Sequence, residues 1–175
     1  DGPSVSADGR YVAFMSDASK LVSGDTNGYQ DVFVHDRQTH QTQRVSVHST
    51  GTQGNYYSSK PSISDDGRYV AFISYARNLV HGDTNGDLDV FVHDRQTGET
   101  KRLNVSSSGA QAGRDSYLLD ISGGGEYVAF NSDASNLVLD DTNGEKDIFV
   151  ASITSAPRLP GTYGVTLAPG ETIGD

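Results

Sequence analysis

The sequence contains no cysteine and no tryptophan. Without cysteine the chain cannot form a disulfide bond, a thiolate zinc site or a cysteine nucleophile. Hydrophobic residues make up only 34% of the 175 residues. No apolar run approaches the roughly 20 residues that a membrane-spanning helix needs. We therefore expect neither thiol chemistry nor a membrane segment.

Positive charge is also scarce, because 13 Lys and Arg residues stand against 23 Asp and Glu residues, for a formal charge of −10. Nucleic acids and anionic membranes favour positively charged surfaces. The charge balance therefore argues against both as partners and leaves cations as candidates. Since the sequence begins at Asp1 without an initiator methionine, we expect a processed form or a piece of a longer protein.

What the chain does have is a repeat with a period of 58 residues. The motif Tyr-Val-Ala-Phe occurs at residues 11–14, 69–72 and 127–130, and Asp-Thr-Asn-Gly occurs at 25–28, 83–86 and 141–144. Residues 3–39 and 61–97 are identical at 28 of 37 positions. A period of this length indicates one supersecondary unit in each copy.

Each copy is predicted to hold four short antiparallel strands and no helix. In the first copy we expect strands at residues 3–6, 11–16, 31–36 and 42–47. Four antiparallel strands in such a period are typical of a β-propeller blade. A β-solenoid is the less favoured alternative, because its repeat is usually shorter and needs no hairpin turns. The predicted fold is all-β, with three four-stranded antiparallel propeller blades that stay open or close only by oligomerisation.

The predicted blades occupy about residues 3–60, 61–118 and 119–155, within a three-blade region at 1–155. Residues 156–175 are expected to form a linker or an added strand, because the third copy loses its recognisable fourth strand. Three blades are fewer than the four to eight that close a ring. The chain could belong to a longer propeller, two chains could close a six-bladed ring, or chains could add head to tail into a filament.

Two segments of the second copy carry a family resemblance. Residues 61–72 read Pro-Ser-Ile-Ser-Asp-Asp-Gly-Arg-Tyr-Val-Ala-Phe, and residues 89–98 read Asp-Val-Phe-Val-His-Asp-Arg-Gln-Thr-Gly. Together they resemble the WD40-like propeller repeat of the TolB type, also called PD40, over residues 3–153. The resemblance implies a propeller fold, commonly in periplasmic or secreted proteins and often used for binding. It implies no single activity.

The Asp-Thr-Asn-Gly loops are the predicted metal sites. Each loop has oxygen-bearing side chains at its first, third and seventh positions, and its fifth residue would contribute a backbone carbonyl. Calcium prefers such hard oxygen ligands, and two neighbouring carboxylates would repel each other without a cation. We expect one Ca²⁺ in each blade, and the candidate ligands are Asp25, Asn27, Tyr29, Asp31, Asp83, Asn85, Asp87, Asp89, Asp141, Asn143, Glu145 and Asp147. The alternative is plain turn chemistry, since Asp, Asn and Gly are also turn residues.

Other polar and aromatic groups are predicted to be structural. His35 and His93 share one repeat position, and the third copy has Ala151 there, which is unlike a catalytic residue. Four tyrosines could line a sugar- or peptide-binding surface or cover a seam between blades, and the seam is favoured; they are Tyr56, Tyr57, Tyr75 and Tyr117. We predict no catalytic residue.

Taken together, the sequence predicts a non-enzymatic, extracellular or periplasmic structural protein that assembles through calcium-stabilised blades. Its partners would be other copies of itself or flanking blades of a longer chain, with no role for nucleic acid or membrane. Two alternatives stay open. The chain could be a propeller that recognises a peptide or a carbohydrate, or it could be the propeller part of a larger hydrolase.

Overall fold

The computed structural model describes residues 2–153, except for the side chains at 118 and 119. Its strands are β1 (Ser4–Val5), β2 (Tyr11–Ser16), β3 (Asp31–Asp36), β4 (Gln41–Arg44), β5 (Ser58–Ile63), β6 (Tyr69–Ser74), β7 (Asp89–Asp94), β8 (Thr100–Arg102), β9 (Ser116–Ile121), β10 (Tyr127–Ser132) and β11 (Asp147–Ser152). The described residues form no helix, so none is long and apolar enough to cross a membrane. The predicted all-β fold is confirmed.

The strands form three antiparallel sheets, and each sheet is one blade. Blade one has the order β1-β2-β3-β4, blade two has β5-β6-β7-β8, and blade three contains β9, β10 and β11 in the described residues. The segment predicted as a linker or added strand, 156–175, lies outside those residues. The three blades of the prediction are therefore present as open, consecutive sheets.

The fourth strand is shorter than predicted, because β4 ends at Arg44 and the prediction ran to residue 47. The Ser46 hydroxyl accepts the hydrogen bond of the Val32 backbone N–H at 3.1 Å, which takes the place of a ladder bond. Val47 pairs instead with Gln53 in an isolated bridge of the connection that leads to blade two. A serine side chain thus ends the strand before the apolar alternation of the sequence stops.

The turn between the first two strands of each blade depends on a short polar network. In blade one, Ser6 Oγ donates to Asp8 Oδ1 at 2.6 Å, and the same oxygen accepts the Arg10 N–H at 2.9 Å. Gly9 lies in this turn with φ +71°, a conformation that a side chain disfavours. The predicted Asp-Gly turn is confirmed in the first two blades, where Gly67 has the same φ.

Alternate residues of the second strand face opposite neighbours. In blade two, Val70 and Phe72 pack in one apolar cluster with blade one, and Ala71 and Ile73 pack in another with blade three. This separation follows from the two-residue period of a strand. Each blade therefore has two different apolar faces, one for the preceding blade and one for the following blade.

Among the described residues 2–153, the first and the last blade each expose a side whose counterpart in the middle blade is buried. We define the head face as the uncovered surface of blade one; it is lined by Val12, Phe14, Leu21, His35, Arg37, His40 and Thr42. Leu21 is 37% exposed, whereas its counterpart Leu79 in blade two is fully buried. We define the tail face as the opposite surface, on blade three; it contains Tyr127, Ala129, Ile148 and Val150. Val150 is 42% exposed and its counterpart Val92 only 2%.

Repeat-equivalent substitutions test whether junction packing stabilises the array. Phe72→Ala removes a fully buried ring between blades one and two and should cost about 3–5 kcal/mol of unfolding free energy. Phe14→Ala removes the same ring from the half-buried head face and should cost about 1–2 kcal/mol. Urea unfolding of both variants measures the difference. Equal losses would show that neighbouring blades do not stabilise each other.

Candidate functional site

The seventh residue of each acidic loop is also the first residue of the third strand of its blade. Asp31 opens β3, Asp89 opens β7 and Asp147 opens β11, and their exposed fractions are 0%, 0% and 4%. In blades one and two this third strand lies between two other strands, and its first carboxylate is buried. Each loop therefore holds one carboxylate that needs an internal partner, because a buried unpaired charge is costly.

The asparagine of each loop makes a turn contact. Its Oδ1 accepts the backbone N–H of the residue two positions later, and the three acceptor distances are 3.0 Å to Tyr29, 3.3 Å to Asp87 and 2.9 Å to Glu145. The Asn27 amide nitrogen donates to Asp31 Oδ2 and to the Gly54 carbonyl, both at 2.9 Å. These contacts match the turn chemistry that the sequence left open as an alternative.

An arginine stands between the two carboxylates in blades one and two. Arg44 Nη1 lies 3.2 Å from Asp25 Oδ1 and 3.3 Å from Asp31 Oδ2. Arg102 Nη1 lies 3.7 Å from Asp83 Oδ1 and 3.2 Å from Asp89 Oδ2. Both arginine side chains are only 9% exposed. The acidic loops thus have an internal cation, which offsets the repulsion that led us to predict calcium.

Sequence reasoning missed this arginine because it lies in the fourth strand, away from the loop. The available signal was its repetition, since Arg44 and Arg102 are 58 residues apart. The remaining Asp31 oxygen accepts the Ser46 hydroxyl at 2.6 Å, and the corresponding Asp89 oxygen accepts the Asn104 amide at 2.6 Å. Both carboxylate oxygens are therefore satisfied by the protein itself.

Burial changes the acidity of these carboxyl groups. Desolvation raises the pKa of Asp89 to about 6, although the Asn104 hydrogen bond and the Arg102 charge act in the opposite direction. Burial also raises the pKa of Asp31 and of Asp83. The cost of placing negative charge in these loops is therefore only partly offset by the arginines.

The loop of blade three keeps the contact between asparagine and aspartate but has no arginine beside it within the described residues. Asn143 Nδ2 lies 3.3 Å from Asp147 Oδ1, and Asp141 Oδ1 has no hydrogen-bond partner among the described residues. The position that matches Arg44 and Arg102 is residue 160, which lies outside the described part. Within residues 2–153, no three His, Cys, Asp or Glu side chains are grouped so as to hold a metal ion. Calcium binding stays a prediction.

The histidine at the shared repeat position has a structural partner in both blades. His93 Nδ1 lies 2.9 Å from Thr100 Oγ1, which donates to the Val47 carbonyl of blade one at 2.6 Å. His35 makes the same contact with Thr42 at 3.0 Å. Burial lowers the pKa of His93 to about 4, so this imidazole is neutral at physiological pH. These contacts agree with the predicted structural role.

A cluster of tyrosines lies where blade one meets blade two. The Tyr29 ring centroid is 4.6 Å from that of Tyr56 and 4.9 Å from that of Tyr57, and Tyr75 lies 6.2 Å from Tyr56. The loop of blade one supplies Tyr29, while Tyr56 and Tyr57 lie just before β5 and Tyr75 just after β6. The cluster therefore covers the seam, while Tyr56 and Tyr57 keep more than two fifths of their surface exposed.

An arginine–aspartate pair stabilises the outer turn of blades one and two. Arg68 donates from Nε and Nη2 to the two oxygens of Asp94 at 3.0 and 2.7 Å, and Arg10 makes the same paired contact with Asp36. This bidentate contact lowers the pKa of Asp94 to about 2. The third copy has Glu126 in place of the arginine, so blade three lacks the pair.

Comparison with solved structures places the described blades in the class of β-propellers. A TolB protein from Agrobacterium tumefaciens matches 86% of the chain at 18% identity with a TM-score of 0.50. The β-propeller domain of the Trilobed protease from Pyrococcus furiosus, which has an open velcro topology, matches 86% at 13% identity and 0.50. The tricorn protease matches 86% at 15% identity and 0.50.

The chain spans 44%, 40% and 13% of those three proteins, which is less than half of each. At these identities the likeness establishes the fold. It confirms the expected resemblance to TolB-type propellers at that level. No protein-family model and no curated protein matches the sequence.

The Arg68–Asp94 pair predicts a defined pH dependence of stability. Because the pKa of Asp94 is about 2 in the folded state and about 3.9 when unfolded, its contribution is complete above about pH 4 and is lost as the pH falls through 2. Arg68→Gln should therefore lower the melting temperature at neutral pH and have little effect near pH 2. Lys101→Gln, in an exposed pair with Glu99, is the control. A loss for Arg68→Gln that is constant from pH 2 to 7 would contradict the prediction.

Proposed function

We propose that this protein is a non-enzymatic structural module, extracellular or periplasmic, that assembles through the open ends of its blade array. The observation that carries the proposal is the exposure of the head and tail faces. Each has counterparts within the chain that are buried against a neighbouring blade. Exposed apolar surface of this kind marks an interaction site.

The internal arrangement of polar groups supports a structural role. The repeated histidines contact threonines, Arg68 pairs with Asp94, and Arg44 and Arg102 each bridge two carboxylates. Each of these groups holds two strands or two segments together, which is the use expected of residues in a rigid scaffold. Rigid presentation of the loops and faces is then the contribution of the chain to an assembly.

The assembly proposal is tested by the mass of the chain in solution. Sedimentation velocity over a range of concentrations should show species heavier than the 18.6 kDa chain, with the fraction rising with concentration. Val150→Asp places a charge on the tail face and should reduce the association, whereas Val150→Thr, a matched smaller change, should reduce it less. A single monomeric species at every concentration would contradict the proposal.

We further propose that calcium strengthens the acidic loops of the assembled module. The support is the raised pKa of the buried carboxyls and the Asp141 oxygen without a partner in the described residues. In blades one and two a calcium ion would compete with the arginine for the same oxygens. Blade three has no such competitor within its described residues.

Removing the arginine distinguishes the contribution of its guanidinium from that of calcium. Arg102→Met should lower the melting temperature in EDTA, because Asp83 and Asp89 lose their internal cation. Calcium at 100 times its dissociation constant would then restore about 2.7 kcal/mol. The wild-type protein should gain less stability from calcium at blade two, because Arg102 already lies beside Asp83 and Asp89. If calcium changes the melting of neither protein, the loops are stabilised by arginine alone.

Ligand recognition is a second candidate, and the tyrosine cluster is the observation that favours it. Tyr56, Tyr57 and Tyr75 are each about two fifths exposed and lie at one seam, where aromatic faces could stack on a sugar or a peptide. Binding to a glycan or peptide array, abolished by Tyr56→Ala, would support this function over assembly alone.

A further inference from the structure

The two uncovered faces are the two halves of a junction that the chain already forms twice. Blade one presents its Tyr11 side to the Phe72 side of blade two, and blade two presents its Tyr69 side to the Phe130 side of blade three. The head face is the side of blade one that carries Phe14, and no described blade packs on it. The tail face is the side of blade three that carries Tyr127, and no described blade packs on it either. Continuing the same packing therefore places a tail face on a head face.

Backbone hydrogen bonds show the register in which such a junction forms. Ala7 N–H donates to the Asp65 carbonyl at 3.0 Å, and Asp65 N–H donates to the Gly123 carbonyl at 2.8 Å. Each bond joins one residue to the residue 58 positions later. The next bond in the series would join Gly123 N–H to the Ala7 carbonyl of a second chain.

A cation–π contact marks the centre of the first junction. The guanidinium carbon of Arg95, in blade two, lies 4.3 Å from the centroid of the Tyr11 ring, in blade one. Arg95 Nη1 also donates to the Gly67 carbonyl at 2.6 Å, which directs the side chain. Gly67 itself packs so closely on the Tyr11 ring that a Cβ would not fit.

The head face holds the arginine half of this contact. Arg37 is the counterpart of Arg95, and its Nη1 donates to the Gly9 carbonyl at 2.8 Å in the same way. Arg37 is exposed and lines the head face beside Val12 and His35. It is therefore already held in the position from which Arg95 reaches a tyrosine of the preceding blade.

The tail face holds the aromatic half. Tyr127 is the counterpart of Tyr11 and is 50% exposed. In blades one and two an arginine of the same blade lies over this tyrosine, Arg10 over Tyr11 and Arg68 over Tyr69, each at 4.7 Å. Blade three has Glu126 at that position instead.

The exchange of arginine for glutamate makes the charges of the two end faces complementary. At the first junction the Arg95 guanidinium lies near the like charge of Arg10. At the tail face an incoming Arg37 would meet the exposed Glu126 together with the Tyr127 ring. An opposite charge beside an aromatic ring favours a guanidinium. The two end faces therefore carry charges of opposite sign at this position.

We propose that the head face of one chain binds the tail face of a second copy, with Arg37 over the Tyr127 ring and beside Glu126 of the partner. This docking mode rests on the proposed assembly function and specifies the partner, a second copy of the chain, and the register of the contact. Two chains joined at both ends would hold six blades, which is within the range of closed propellers. Arg37 and Glu126 lie at opposite ends of one chain, so any coupling between them arises between chains.

Charge exchange tests this pairing without removing any buried group. Arg37→Glu and Glu126→Arg each place like charges at every junction between identical chains, and each should weaken self-association by about tenfold. An equimolar mixture of the two variants has opposite charges at every mixed junction and should associate as wild type does. The double variant R37E/E126R should also recover. Lys101→Glu carries the same charge change as Arg37→Glu on the outer strand β8 and should have no effect.

Sedimentation velocity gives the association constants, and circular dichroism establishes that each variant is folded. Weakening by both single variants with recovery in the mixture supports the proposed pairing. If the chains associate but no charge variant alters the association, the assembly function holds and this docking mode is wrong. If the wild-type chain is monomeric at every concentration, the docking mode and the assembly function are both wrong.

Discussion

The packing of one blade against the next is the interaction on which the rest of this structure depends. A four-stranded sheet cannot bury both of its apolar faces alone, and here the facing sides of neighbouring blades cover each other at two junctions. The middle blade is covered on both sides and contains most of the large, fully buried side chains, among them Phe72, Phe91 and Leu79. An array built in this way has two faces left over, whatever its length, unless it closes on itself.

The charged side chains are also arranged in the same way in successive blades. The third strand of every blade begins with a buried aspartate, and in blades one and two an arginine from the fourth strand forms ion pairs with that aspartate and with the first aspartate of the loop. The acidic character of the chain is therefore partly internal. Blade three has Glu126 where the other blades have Arg10 and Arg68, and its loop carboxylates have no arginine partner among the described residues.

The end faces connect the fold to the proposed function. The same side chain is buried or exposed according to whether another blade packs on it. Arg95 and Arg37 illustrate this, since both donate to a glycine carbonyl of their own blade and only Arg95 lies over a tyrosine. Under the proposed assembly, residues that pack blades together in the middle of the array would bind a second chain at its ends.

Much of the fold was predictable from local pattern. The repeat indicated successive four-stranded units, the alternation in Tyr-Val-Ala-Phe correctly separated the two faces of β2 and β6, and glycine at positions 9 and 67 correctly marked the hairpin turns. The fourth strand was predicted too long, because Ser46 ends the ladder through its side chain, and no alternation in the sequence reveals that contact.

The candidate site was only half predictable for a related reason. Position in the sequence identified the loop carboxylates of Asp25 and Asp31, since both lie within one short motif. It did not identify Arg44, which is 13 residues beyond Asp31 and reaches the loop only because β4 pairs with β3. Calcium was inferred from the repulsion between carboxylates, and the structure supplied another cation that can relieve it.

The sequence by itself determined the repeat, the strands and the acidic loops, because each depends on residues within a few positions of one another. Only the tertiary structure decided which carboxylates have a partner, which histidine is buried and neutral, and which apolar faces remain uncovered. Those properties depend on whether another strand or another blade lies alongside. Identical residues in successive copies, such as His35 and His93, therefore differ in burial although their local sequences agree.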